Sequence, residues 1–278
     1  MSKTQVLNRI APFLLTPRVA REIRLNIFDT QAREIRLPMG NDNWQTLQPS
    51  IQESFWEKID GLCEKEKITS LGVTRGIKAA VVLPGIRVQS GGQFIVDLAL
   101  LRIEEALNKG GVQRIVLASD QREVFSLAVQ AGDTFKVPFM LQSMIPGRHE
   151  AMAFHIFRQK GLALSLACFC PEMWTVNDIV LLLDEVYAKK AAGFTSGRQI
   201  NLTDSSHGHA PVLEDELSKQ GILPVLSNLA PLVEAYWEDN EDLRPGGKTR
   251  ISGGRRLRFW DSFLDNERGG HYNTIKGI

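Results

Sequence analysis

The sequence predicts an α/β fold, a mostly parallel five-stranded sheet with helices on both faces, preceded by a mainly helical N-terminal region. Five short apolar runs alternate with helical segments in the second half of the chain. Strands separated by amphipathic helices favour parallel pairing, because a parallel connection needs a crossover. Three domains are predicted: a mainly helical region over residues 1–90, the α/β core over 91–243, and a basic Gly/Arg-rich extension over 244–278.

The N-terminal region is predicted from local periodicity. Thr16-Pro17 is typical of a helix start, and residues 33–37 alternate charged and apolar side chains, as a short strand does. Apolar residues recur every three or four positions over residues 50–67, as on one face of a helix. A further helix is predicted over residues 69–83.

The core begins with a predicted helix over residues 93–108 and then repeats a strand and a helix. The predicted strands span residues 112–118, 137–141, 162–169, 198–203 and 222–226, and the helices that follow them span residues 121–130, 148–159, 177–191, 211–219 and 231–237. Pro138 and Pro224 lie inside two of these strands. Because proline cannot donate a ladder hydrogen bond, those two strands are predicted at a sheet edge or distorted.

Composition predicts a folded cytoplasmic protein. Of the 278 residues, 43% are apolar and 23% are charged, which is typical of globular domains rather than disordered chains. The N-terminal residues show no signal-peptide pattern, and no apolar run approaches the roughly 18 residues of a membrane span. Three cysteines are too few for a disulfide framework. We therefore expect no membrane partner.

Basic residues concentrate at the two ends of the chain. Residues 1–38 carry seven Lys or Arg against three Asp or Glu, and residues 244–278 carry eight against three, so the stretch between them is acidic. Basic ends of this kind contact a polyanion, or the acidic body of the same or a neighbouring chain. The predicted partners of the ends are therefore nucleic acid or further copies of the chain in a homo-oligomer.

A candidate ligand site follows from the rule that ligands bind beyond the carboxyl ends of parallel strands. The residues expected there are Asp120, Ser143, Arg148, Ser205, Ser206 and Asn228 for ligand binding, and Asp204, His207 and His209 for catalysis. Imidazoles transfer protons near neutral pH, and hydroxyls with backbone N–H groups at a helix start hold phosphate or carboxylate. This predicts a small anionic or nucleotide-like ligand and the chemistry of a transferase or a hydrolase.

A structural interpretation competes with the catalytic one. Asp120 with Glu123 three residues later fits a capping box at a helix start, and a polar loop around Asp204 would bond its own backbone. The sequence contains neither a glycine fingerprint for dinucleotides nor a Walker A loop, so it names no cofactor. No metal site is predicted, because Cys168 and Cys170 are spaced more closely than the cysteines of structural zinc sites.

The basic extension provides the alternative function. It combines paired glycines and aromatic residues with five cationic side chains, Lys248, Arg250, Arg255, Arg256 and Arg258. Guanidinium groups and aromatic rings on a flexible backbone suit phosphate contacts and base stacking. The alternatives are therefore a nucleic-acid-binding protein that uses both terminal segments, or a self-assembling structural protein that uses the same segments.

Overall fold

The computed structural model describes residues 3–14, 16–36, 43–44, 46–73, 83, 85–121 and 123–239. In these residues the helices are α1 (Lys3–Leu14), α2 (Pro49–Glu66), α3 (Gly92–Asn108), α4 (Glu123–Thr134), α5 (Glu150–Lys160), α6 (Glu185–Ala191), α7 (Pro211–Lys219) and α8 (Leu226–Asp239). The strands are β1 (Arg18–Leu25), β2 (Thr30–Arg36), β3 (Ser70–Gly72), β4 (Arg87–Gln89), β5 (Arg114–Ala118), β6 (Phe139–Ser143), β7 (Leu164–Cys168), β8 (Asp178–Leu182) and β9 (Arg198–Asn201).

A parallel sheet of five strands, flanked by helices, confirms the predicted α/β fold. Its strand order is β7-β6-β5-β8-β9, and every neighbouring pair is parallel. The chain enters at the central strand β5, runs outward through β6 to β7, and then continues through β8 and β9 on the other side of β5. This is the order of a doubly wound sheet of the Rossmann type, which has a crevice where the strand order reverses. The reversal lies between the carboxyl ends of β5 and β8.

The two central strands are buried on both faces. Residues 115–118 of β5 and 179–181 of β8 have no solvent-exposed surface. A strand covered on both faces has a continuous apolar sequence rather than an alternating one. At the opposite, amino end of the two strands, Arg114 pairs with the buried Asp178, with 2.6 Å between Nη2 and Oδ2.

The main difference from the predicted secondary structure is the strand β8, which lies in a segment predicted as helix. Residues 177–191, predicted as one helix, contain both β8 and α6. Residues 222–226, predicted as the fifth strand, form a loop that leads into the first residue of α8. A five-residue apolar run has no period that separates a buried strand from a buried helix. Pro224 also could not donate to a strand ladder.

The connection from β7 to β8 crosses the sheet without an α-helix. A short 3-10 helix, Pro171–Met173, lies within it, and the Trp174 indole donates to the Gln142 side-chain oxygen of β6 at 2.9 Å. Phe169 and Trp174 pack against the apolar cluster that Val116 and Val180 form on this face of the sheet. The aromatic side chains of the loop therefore cover the surface that a crossover helix normally covers.

The N-terminal region combines helices with two small sheets. The strands β1 and β2 form an antiparallel hairpin, so Thr16-Pro17 precedes a strand instead of starting a helix. The side chains of Ile23 and Leu25 are buried in a period-two pattern, which explains the extended conformation. The strands β3 and β4 pair in parallel, so residues 70–72 are extended rather than helical; residues 74–82 of the helix predicted there lie outside the described residues.

The described residues form two compact units. One contains the described parts of 1–66, 207–224 and 237–239, and the other contains those of 67–206 and 225–236. In the first unit α7 packs on β1, and the Gln220 side chain exchanges two hydrogen bonds with the backbone of Arg24. The five-stranded sheet lies in the second unit. The predicted division at residues 90 and 243 stays a prediction. No described helix has the length and apolar character that crossing a membrane requires.

Gly91 precedes α3 where the chain passes close to α8. Its φ is +80°, and a Cβ there would lie 2.5 Å from the Cβ of Ala230. We expect Gly91→Ala to lower the free energy of unfolding by about 3 kcal/mol, because left-handed strain adds to the overlap. Gly110→Ala is the matched control: its φ is +73°, an added Cβ would meet no described atom within 4 Å beyond its chain neighbours, and a loss of about 1 kcal/mol is expected. Equal losses in urea unfolding would show that the contact with α8 is irrelevant.

Candidate functional site

Asp120 lies at the reversal point of the sheet, two residues after the end of β5. Its carboxylate accepts three side-chain hydrogen bonds: Ser143 Oγ donates to Oδ1 at 2.5 Å, Tyr187 Oη donates to Oδ2 at 2.5 Å, and His149 Nε2 lies 2.9 Å from Oδ1. Ser143 ends β6, His149 follows β6, and Tyr187 lies in α6 after β8. The segments that follow β5, β6 and β8 thus bring one acid and three donors together at the carboxyl edge of the sheet.

The hydroxyl groups of Ser143 and Tyr187 each accept one hydrogen bond and donate another. Tyr187 Oη accepts from the Met144 backbone N–H at 2.7 Å, and Ser143 Oγ accepts from the Ile145 N–H at 2.9 Å. Both side chains are buried, Tyr187 at 1% and Ser143 at 0% exposure. Each hydroxyl therefore has an N–H directed at its oxygen and its own proton directed at Asp120. This geometry orients the carboxylate and leaves neither hydroxyl available as a nucleophile.

The charge states of the acid and the phenol follow from these contacts. Burial raises the pKa of Asp120, but the hydrogen bonds from His149, Ser143 and Tyr187 outweigh it, so the pKa lies below its usual value. Burial, and then the bond to Asp120, raises the pKa of Tyr187. Asp120 is consequently an anion and Tyr187 a neutral donor at physiological pH.

His149 is the remaining member of the site and the one with a free position. Its ring is mostly buried and lies 5.4 Å from the ring of Phe125. Because Asp120 is ionised, the proton of the Asp120–His149 hydrogen bond belongs to Nε2 of the imidazole. No group among the described residues hydrogen-bonds the other ring nitrogen, Nδ1. A neutral His149 can therefore accept a proton at Nδ1 while Asp120 stabilises the resulting imidazolium.

Two cations lie close to this site. Arg148 immediately precedes His149 in the 3-10 helix Pro146–His149 and is exposed. Lys190, at the end of α6, places its ammonium 3.6 Å from the sulfur of Met144, the residue that follows β6. Positive charge is therefore present on the segment after β6, which supplies His149, and on α6, which supplies Tyr187.

The loop after β9 uses its polar groups within the protein. Asp204 accepts the backbone N–H of Ser227 at 2.7 Å, near the start of α8, and the Ser205 N–H donates to Glu185 at 2.7 Å. The Ser206 N–H donates to the carbonyl of Thr203. Asp204 thus caps a helix start, which needs an acceptor. Asn228 lies in the first turn of α8.

His207 and His209 belong to the other compact unit, so the predicted catalytic set is divided between the two units. The backbone N–H groups of residues 208–210 all donate to the carboxylate of Glu214, at 2.8–3.0 Å. These N–H groups lie immediately before α7, the helix whose first N–H groups were predicted to hold an anionic ligand. A carboxylate of the chain itself occupies them.

The structure therefore brings together two of the predicted site residues, Asp120 and Ser143. A third, Arg148, is the sequence neighbour of His149. Sequence reasoning left His149 and Tyr187 out of the site. The signal for His149 was its place after β6, where the strand-end rule already pointed. Tyr187 was hidden because residues 177–191 were predicted as one helix. The five cations of the basic extension lie outside the described residues.

Comparison with known proteins identifies no relative of this chain, so the site is interpreted from its geometry alone. The chain matches no protein-family model and no curated protein. In the described part of the chain, no three His, Cys, Asp or Glu side chains converge in a way that could hold a metal ion.

Proposed function

We propose that this protein is a hydrolase or transferase for a small anionic ligand, with His149 as the general base and Asp120 as the residue that orients it. One observation carries the proposal: His149 Nε2 lies 2.9 Å from Oδ1 of Asp120, which follows β5, a strand at which the strand order of the sheet reverses. Ligands of doubly wound sheets bind at that point. A His–Asp pair is the usual means of removing a proton from water or a hydroxyl at neutral pH.

The proposed reaction begins with a ligand bound beside His149. Nδ1 of the neutral imidazole takes the proton of a water molecule or of an acceptor hydroxyl, and the oxygen attacks the electrophilic centre of the ligand. Asp120 stabilises the imidazolium, and Nδ1 then returns the proton to the leaving group. Ser143 and Tyr187 hold the Asp120 carboxylate in place. Since the pKa of Tyr187 is raised, the phenol is a donor in this scheme and never the base.

An anionic ligand is supported by the charges near the site. The Arg148 guanidinium can hold carboxylate or phosphate oxygens in a bidentate manner, and the Lys190 ammonium adds a second positive charge. No glycine fingerprint for a nucleotide follows β5; the next residues are Ser119 and Asp120. This favours a ligand bound through its charge over one bound through a glycine-rich phosphate loop.

The test uses two anionic chromogenic esters, mono-p-nitrophenyl adipate and p-nitrophenyl phosphate, which represent acyl and phosphoryl transfer from a charged ligand. We expect the protein to hydrolyse at least one of them, and His149→Gln to lower kcat/KM by about 10²–10⁴-fold. His155→Gln is the matched control, because His155 is exposed on the neighbouring helix α5 and should leave the rate unchanged. Equal rates for the wild-type protein and His149→Gln would contradict the proposed base.

A further inference from the structure

The strand β7 is an open edge of the five-stranded sheet. Within the described residues it pairs with β6 alone. The backbone N–H of Phe169, just after β7, donates to the Ser143 carbonyl of β6. Because the backbone groups of successive residues in a strand point to opposite sides, the N–H and C=O groups of Leu164, Leu166 and Cys168 point away from β6. No other described group hydrogen-bonds them. The strand, Leu-Ser-Leu-Ala-Cys, carries no charge and no proline.

The opposite edge of the same sheet is protected. Its strand β9 begins with Arg198, whose guanidinium donates to the carbonyls of Ala106 and Gly110, each at 2.7 Å. Charged side chains on an edge strand oppose pairing with another chain. Because β9 carries a charged side chain and β7 carries none, β7 is the edge of the sheet that can pair with another strand.

The helix α5, which packs on β7, presents an apolar face bordered by opposite charges. Phe154 and Phe157 are 61% and 54% exposed. Glu150, Phe154, Phe157 and Arg158 follow the spacing of zero, four, seven and eight residues, which places them on one side of the helix. The acid lies in the first turn and the base in the last. Only Ala153 and Ile156 of α5 are buried.

This face is complementary to itself when two copies of α5 lie antiparallel. Phe154 is midway between Glu150 and Arg158, so a two-fold axis at Phe154 brings each acid to the base of the other copy. The same axis brings the bulky Phe157 to the small, exposed Ala151 of the other copy. A two-fold interface must repeat each contact in this way.

We infer that β7 and α5 form the interface of a homodimer. The two β7 strands pair antiparallel about Leu166, so the two sheets join into one ten-stranded sheet. In this register Leu164 lies opposite Cys168 of the other copy, and the three outward-facing residues of each strand bond each other. The two α5 helices pack at Phe154 beside the joined strands. The inference does not depend on the proposed function, and the interface does not involve the basic ends of the chain.

The first test measures the mass of the full chain in solution by sedimentation velocity. The protein concentration is varied from about 1 to about 100 μM, which covers dissociation constants in the micromolar range. We expect twice the 31.1 kDa mass of the chain. Leu166→Pro removes an outward N–H from an edge strand, a position where proline leaves a sheet intact. We expect it to shift the protein to a monomer with unchanged circular dichroism. A wild-type monomer at 100 μM, or a dimeric Leu166→Pro variant, would overturn the inference.

The second test exchanges charges on α5. Glu150→Lys places Lys against Arg158 in a homodimer, and Arg158→Glu places Glu against Glu150, so each variant alone should dimerise at least tenfold more weakly. An equimolar mixture of the two should regain the dimer, because both contacts of the heterodimer join opposite charges. Failure of the mixture to dimerise would overturn the antiparallel helix pairing, and a misfolded variant would be revealed by its circular dichroism.

A control variant tests whether any acid on an exposed apolar position has the same effect. Val186 is 50% exposed on α6, the helix that connects β8 to β9. Val186→Glu should leave the dimer intact, whereas Phe154→Glu should abolish it. Equal behaviour of the two variants would place the interface elsewhere.

Discussion

Replacing Asp120 by asparagine is expected to lower the free energy of unfolding by about 4 kcal/mol, because three charge-assisted hydrogen bonds end on its carboxylate. An amide has one acceptor oxygen and an NH₂ group that accepts nothing. At least one buried donor, such as the Tyr187 hydroxyl, would then face another donor. The His149 ring would also lose the acceptor that fixes its proton on Nε2.

Urea unfolding measures the first effect, and ¹⁵N NMR of the imidazole measures the second. The control is Asp184→Asn, because Asp184 caps α6 through one bond to the Val186 N–H, and asparagine caps a helix as well as aspartate does. We expect almost no loss of stability there. If the two variants unfold alike, the carboxylate of Asp120 is not the centre of the network.

Replacing Asp178 by alanine is expected to lower the free energy of unfolding by about 3 kcal/mol, toward the lower end of the range for breaking a buried ion pair. The Asp178 side chain is 2% exposed and accepts two bonds from Arg114 and one from the Thr175 N–H. Without it, the Arg114 guanidinium remains at the amino end of β5 with no carboxylate. Thermal unfolding gives the loss. Asp215→Ala removes an exposed pair with Lys219 and should cost less than about 1 kcal/mol.

The same carboxylate predicts the acid dependence of stability. Burial raises the pKa of Asp178, but the bonds from Arg114 and Thr175 outweigh it, so the pKa in the folded state is lowered. A group with a lowered folded pKa stabilises the protein above its unfolded pKa, about 3.9, and the contribution is lost as the pH falls through the folded pKa. Unfolding measured from about pH 5 downward should therefore show a steeper loss for the wild-type protein than for Asp178→Asn. Parallel curves would exclude Asp178 as the source.

The fold could be predicted to the extent that burial leaves a pattern in the sequence. Residues 115–118 form a continuous apolar run after Arg114, and such a run is typical of a strand covered on both faces. The run at residues 179–182 is equally apolar, but the helix α6 follows it after two residues, so strand and helix were joined into one predicted helix. The decision between strand and helix there depends on pairing with β5, which is a long-range contact.

The site was predicted in part for the same reason. The strand-end rule located Asp120 and Ser143 because each lies at the end of its own strand, which is local information. The importance of His149 depends on a turn that returns the ring toward Asp120. The polar loop at residues 204–206 is rich in reactive groups, yet its carboxylate and N–H groups bond Ser227, Glu185 and Thr203. Residue type alone does not separate a helix cap from a catalytic acid.

The late position of β8 in the chain also has a consequence for biosynthesis. On the ribosome, β5, β6 and β7 are all made before β8, so the side of β5 that β8 later covers is unpaired in the meantime. That edge belongs to one of the two strands that are buried on both faces, and unpaired apolar edges of nascent chains associate with one another. The interval before β8 emerges is therefore when this apolar edge of the growing polypeptide is open to other chains.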